Sequence, residues 1–82
     1  MKKILRFTAS WCNPCKMLAA NLQEVNTDVS IEVVDIDSSP DIATEYRIRS
    51  VPTLVMLKED KEIKRLIGNK STKELREWIE ND

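Results

Sequence analysis

The sequence predicts a single α/β domain: a mixed four-stranded sheet, in the chain order β-α-β-α-β-β-α, with helices on both faces. Two patterns and one limit carry this reading. Short runs rich in β-branched residues, at 31–36 and 53–57, alternate with stretches whose apolar residues recur at helical spacing. The run 53–57 is almost wholly apolar, which suits a strand covered on both faces. The limit is size. At 82 residues and 9.5 kDa the folded chain exposes about 5,000 Å² against about 14,000 Å² extended, so roughly 60% is buried and residues 1–82 form one modest core.

Lys2 to Thr8 reads as the first strand, apolar at Ile4, Leu5 and Phe7. Ser10 to Cys15 breaks it. From Pro14 to Val25 the residues Leu18, Leu22 and Val25 fall at helical spacing, with Met17 beside them. Pro14 suits a helix start, where its missing N–H would be unpaired anyway. Ile31 to Ile36 is the second strand. Ser39-Pro40-Asp41 starts a second helix, with Ser39 as cap, Pro at the first position and an acid in the first turn. Ile42 and Tyr46 share its inner face. Thr53 to Leu57 is the third strand, Lys58 to Lys61 a turn, and Glu62 to Ile67 the returning strand of a hairpin. Ser71 and Glu74 have the spacing of a capping box, and Leu75, Trp78 and Ile79 form the apolar stripe of the last helix. Tyr46 and Trp78 read as packing residues. The first β-α-β crossover is expected to be parallel and right-handed, and the hairpin antiparallel.

Composition removes whole classes of chemistry. There is no His, so His-based triads, general bases and metal sites are excluded. With one Gly, Gly68, the chain cannot build a glycine-rich phosphate loop. A net charge of −1 argues against general nucleic-acid binding. The basic residues among 1–20 (Lys2, Lys3, Arg6, Lys16) meet no acid there, while 21–46 hold seven acids and no base, so the cysteine-bearing end is expected to be locally positive unless these are plain solvated faces. No apolar run nears the ~20 residues of a membrane span. Arg6 interrupts the only segment resembling a signal peptide, and no cleavage site follows it. The expectation is a soluble, cytoplasmic protein with no membrane partner.

What remains is Cys12-Asn13-Pro14-Cys15 at a strand-to-helix junction. A zinc site needs four ligands, and two Cys without His do not supply them. A structural disulfide closing so short a loop stabilises little and does not persist in a reducing compartment. A redox-active dithiol is the reading that the physics favours. A helix N-terminus stabilises a thiolate through its unpaired N–H groups and its dipole. Cys12, just before the helix, is therefore the attacking thiol. Cys15, one turn in and more shielded, resolves the mixed disulfide.

Trp11-Cys12-Asn13-Pro14-Cys15-Lys16 closely resembles the thioredoxin active-site run W-C-G-P-C-K, and Ser50-Val51-Pro52-Thr53 resembles that family's apolar residue followed by cis-Pro-Thr. Asp35-Ile36-Asp37 and Gly68 also fall at family-like spacing. The likeness covers Lys2 to Asn81, as a short thioredoxin without the usual N-terminal strand and helix. It implies a thioredoxin-like fold and a protein disulfide reductase that needs no cofactor and no metal. The implied partners are disulfide-containing proteins and a flavin-dependent thioredoxin reductase or equivalent electron donor, and the implied state is a monomer. Cys12 and Cys15 would be the catalytic pair. Pro52 would be cis and face them, turning the Val51 backbone toward a substrate strand. Trp11 and Gly68 would line the rim, where a backbone without a side chain is wanted. Plainer readings are a packing tryptophan, a turn glycine and a trans strand-start proline.

Two departures affect tuning. Asn13 replaces the family's glycine beside Pro14. Arg6 stands where the family carries a buried acid, and that acid's lysine partner is Val33. Water or a substrate carboxylate would then take the Cys15 proton, and Arg6 would lower a thiol pKa if its head reaches the site; otherwise it snorkels to the surface. A glutaredoxin-like, glutathione-dependent reductase fits the length and the four-stranded plan. Against it stand the Trp before Cys12 and the single Gly where glutaredoxins usually carry a Gly-Gly pair. A non-enzymatic interaction module, and an oxidant or isomerase, are the remaining alternatives.

Overall fold

The computed structural model describes residues 1–81; Asp82, the last residue of the expected domain, lies outside them. The elements are β1 (Lys2–Thr8), α1 (Asn13–Gln23), β2 (Ser30–Asp35), α2 (Pro40–Glu45), β3 (Thr53–Lys58), β4 (Lys61–Ile67) and α3 (Thr72–Glu80). The four strands lie in the order β2-β1-β3-β4, with β1 and β2 parallel and the other two pairs antiparallel. No helix among the described residues is long and apolar enough to cross a membrane.

Strand alternation divides the core in two. Ile4, Leu54 and Met56 turn to one face of the sheet and pack with Leu18, Leu22 and Val25 of the α1 segment and with Leu75 and Ile79 of α3. Leu5, Phe7, Val34, Val55 and Leu57 turn to the other face, against Ile42 and Tyr46 of the α2 segment. The Phe7 and Tyr46 rings sit 5.8 Å apart. Helices thus cover both faces, and β3 is buried from Thr53 through Leu57. Trp78 is half-buried against the first core, beneath Lys64 at 5.0 Å from its ring centre. Lys64 also donates to the carbonyls of Trp78 and Asn81, so a β4 lysine satisfies orphan acceptors at the end of α3.

Local chemistry sets the boundaries. α1 begins at Asn13 rather than Pro14 and ends at Gln23 rather than Val25, whose N–H closes a tighter turn onto Leu22 O at 3.0 Å. β2 runs one residue earlier than expected, and as an edge strand leaves Val33 55% exposed. Ser39 stands at the N-cap of α2, but its hydroxyl makes no capping bond. Asp35 organises that turn instead, its Oδ1 accepting from Asp37 N at 2.8 Å and Ser38 N at 3.3 Å. The Ser71–Glu74 capping box forms in full, both bonds at 3.1 Å. The hairpin turn narrows to Glu59 and Asp60, with φ of 51° and 67°, the left-handed pair that a two-residue loop requires.

Candidate active site

Cys12 is the N-cap of α1. Its extended backbone leaves the first turn of N–H groups facing its side chain, and Sγ accepts the Cys15 N–H at 3.1 Å. Three residues on, Cys15 completes a disulfide with it, the Cα atoms 5.3 Å apart. Cys15 is fully buried, while Cys12 keeps 4% of its surface exposed. Asn13 and Pro14 form the first turn and are exposed. That turn holds no acid, unlike α2, which has Asp41, and α3, which has Glu74. The positive end of α1 is therefore left to the cysteine sulfur.

Across from the sulfurs, the Val51–Pro52 peptide is cis and the Val51 carbonyl oxygen lies 3.8 Å from Cys12 Sγ. Pro52 is buried, and its own carbonyl accepts the Gly68 N–H at 2.9 Å. Thr53 Oγ1 donates to Ser50 O at 2.8 Å and ties down the loop entering β3. At Gly68 a Cβ would meet no protein atom within 4 Å, and the φ of +91° itself favours glycine. Trp11 is not a packing residue. It is 66% exposed, with its indole N–H donating to Asp37 Oδ2 at 2.9 Å.

Beneath the pair, Arg6 stands on β1 with Val33 as its register partner on β2. It is half-buried, its guanidinium makes no hydrogen bond or ion pair with a described residue, and burial lowers its pKa. It lines a cleft of about 240 Å³ with Thr8, Cys15, Lys16 and Asp35. A neighbouring cleft of about 250 Å³ exposes it to Leu22, Ile31 and Val33. The cysteine end, expected to be locally positive unless its charges are plain solvated faces, also carries Asp35 and Asp37, which reach this end of the sheet. Strands β1 and β2 are parallel, so the segments leaving their C-terminal ends meet at one edge. Sequence reasoning had given neither carboxylate a role. The rule that ligands gather at the C-terminal ends of parallel strands could have flagged both. Among the described residues no group of three or more His, Cys, Asp or Glu is placed to hold a metal ion.

The thioredoxin family model matches residues 1–81. A thioredoxin of Mycobacterium tuberculosis is 37% identical over 71 residues, covering 82% of this chain, which spans 61% of that protein's length. The bifunctional thioredoxin reductase/thioredoxin of Mycobacterium leprae is 32% identical over 71 residues, covering 82% of this chain and 16% of its own. Among solved structures, a mutant thioredoxin of Halobacterium salinarum superposes with a TM-score of 0.89 at 30% identity, covering 96% of this chain and 72% of its own. With the cysteine pair capping α1, the cis-proline opposite and a family match over residues 1–81, the chain belongs to the thioredoxin family.

Proposed function

We propose that the chain is a thiol–disulfide oxidoreductase that reduces protein disulfides. The observation that carries the reading is Cys12 Sγ at the N-terminus of α1, accepting the Cys15 N–H at 3.1 Å while bonded to Cys15. In the reduced protein the same N–H and the helix end favour the Cys12 thiolate. That thiolate attacks a substrate disulfide and expels one substrate sulfur. Cys15 then attacks Cys12 Sγ, closes the pair and releases the second substrate thiolate. Two electrons pass from the dithiol to the substrate.

Val51 and Pro52 form the facing wall, where the Val51 backbone pairs with an extended substrate segment. Trp11 and Gly68 flank it. Asn13 and Pro14 tune the pair from the first turn of α1, and Arg6 tunes it from the Cys15 side. A flavin-dependent thioredoxin reductase or an equivalent donor regenerates the dithiol, a pairing supported by the Mycobacterium leprae relative that joins both activities by name. The protein works in the cytoplasm as a monomer and needs no cofactor.

Insulin reduction tests this, driven in parallel by dithiothreitol, by a thioredoxin reductase, and by glutathione with its reductase. Turnover is expected with the first two. Turnover sustained by glutathione alone would reassign the chain as glutaredoxin-like. Cys15→Ser should accumulate a covalent adduct through Cys12. If a Cys12→Ser/Cys15→Ser variant kept the chain's biological role, that role would be one of assembly rather than redox chemistry.

A further inference from the structure

The resolving step needs a proton acceptor, because Cys15 attacks only as a thiolate and is fully buried beneath Cys12. Its way out is the cleft of about 240 Å³ between β1, β2 and α1, which is ample for a bridging water. Asp35 is the only carboxylate among the residues lining it. The parallel register pairs Asp35 with Thr8, two residues beyond the Arg6–Val33 pair, so Asp35, Thr8 and Arg6 share the sheet face toward α1. Its position is fixed, because Oδ1 accepts from Asp37 N and Ser38 N while its backbone carbonyl accepts from Ser39 N at 2.8 Å. Oδ2 takes no hydrogen bond from a described residue. The charged groups facing Asp35 across the cleft are Arg6 from β1 and Lys16 from α1. Asp37, the neighbouring carboxylate, is engaged by the Trp11 indole.

We infer that Asp35 is the proton acceptor for Cys15, acting through solvent in this cleft, with Arg6 and Lys16 steadying the thiolate that forms. The inference rests on the reductase reading above. The Cys15 S–H bond breaks and its proton passes through water to the Asp35 carboxylate. The Cys15 thiolate attacks Cys12 Sγ, the Cys12–Cys15 bond forms, and the bond from Cys12 to the substrate sulfur breaks. The departing substrate thiolate takes a proton from solvent, and Asp35 returns its own to the cleft water.

Single-turnover kinetics separate the steps. Reduced protein mixed with an aromatic disulfide that yields a coloured thiolate releases one equivalent when Cys12 attacks and a second when Cys15 resolves. Asp35→Asn keeps an oxygen for the turn N–H groups, so the fold and the first phase should be unchanged. Its second phase should slow about a hundred-fold or more at neutral pH, starting from the lower end of what a positioned base contributes. That phase should also become proportional to hydroxide concentration, and Asp35→Glu should recover most of the loss. A second phase that is unchanged in Asp35→Asn would overturn the inference. One that speeds up would also do so, because removing a negative charge alone makes Cys15 more acidic. Either result, with the first phase intact, leaves the reductase reading standing. Absence of a first phase in the parent protein would remove both.

Discussion

Replacing Asn13 with Asp should make the protein more stable and its attacking thiol less reactive at the same time. Position 13 is the first residue of α1, and the first turn carries no acid. A carboxylate there meets the positive end of the helix, which contributes roughly 0.3–1 kcal/mol. For a domain of this size that raises the melting temperature of the oxidised form by about 1 to 8 °C. The Cys12 sulfur occupies the same field, taking the Cys15 N–H at 3.1 Å. Two unit charges within one helical turn, about 5.4 Å, repel by roughly 1–3 kcal/mol between the limits of bulk water and a protein surface, so the thiolate population below its midpoint falls roughly 5- to 150-fold.

A thiolate favoured by folding has its folded pKa below the unfolded value, so it stabilises the reduced protein above the unfolded pKa. That stabilisation is lost as pH falls through the folded pKa. Asn13→Asp should narrow this window in the reduced form and leave the oxidised form, which has no thiol to titrate, without it. The assay is the rate of iodoacetamide alkylation against pH in reduced protein, alongside thermal unfolding of the oxidised protein. An alkylation profile that stayed in place would refute the claim that the empty first turn serves the sulfur. So would an oxidised variant that melts lower than its parent.

Gly68→Ala should cost about 1–2 kcal/mol in urea unfolding, because its φ of +91° strains any side chain even though a Cβ there has open space; no loss would mean the angle relaxes freely. In Glu74, the bonds to Ser71 hold the carboxyl below its ordinary range, so its stabilisation is present above the unfolded carboxylate pKa and disappears as pH falls through the folded one. Glu74→Gln should therefore melt below the parent at neutral pH and level with it in strong acid, as thermal scans across pH would register. Arg6→Met keeps the buried stem but removes a half-buried cation without an ion-pair partner among the described residues. Chemical denaturation should show a small gain at most, because solvent screens a half-exposed charge, while Cys15 in a Cys12→Ser background should become less acidic; an unchanged Cys15 titration would remove Arg6 from the tuning of the pair.

The site was legible in the sequence wherever its geometry is local. Cys12, Pro14 and Cys15 lie within one turn, so a strand ending at Thr8 and a proline at the second helical position already place the sulfur over the free N–H groups. Pro52 is distant but stands in a motif specific enough to be read. What escaped depends on which strand lies beside which. Asp35 and Asp37 belong to an acidic stretch that reads as solvated surface, and they come to the cysteine end of the sheet because β2 runs parallel to β1 in a register pairing Thr8 with Asp35. The same register puts Val33 directly beside Arg6, so the nearest acid on that face of the neighbouring strand is Asp35, two residues further along, across the cleft that Cys15 shares. Ser39 takes the expected N-cap place but makes no side-chain capping bond there. Asp35 takes the two N–H groups ahead of α2, so one carboxylate shapes the turn and also faces the resolving cysteine. That coupling explains why Asp35→Asn, which keeps the turn and loses the base, is a more telling change than any truncation at that position.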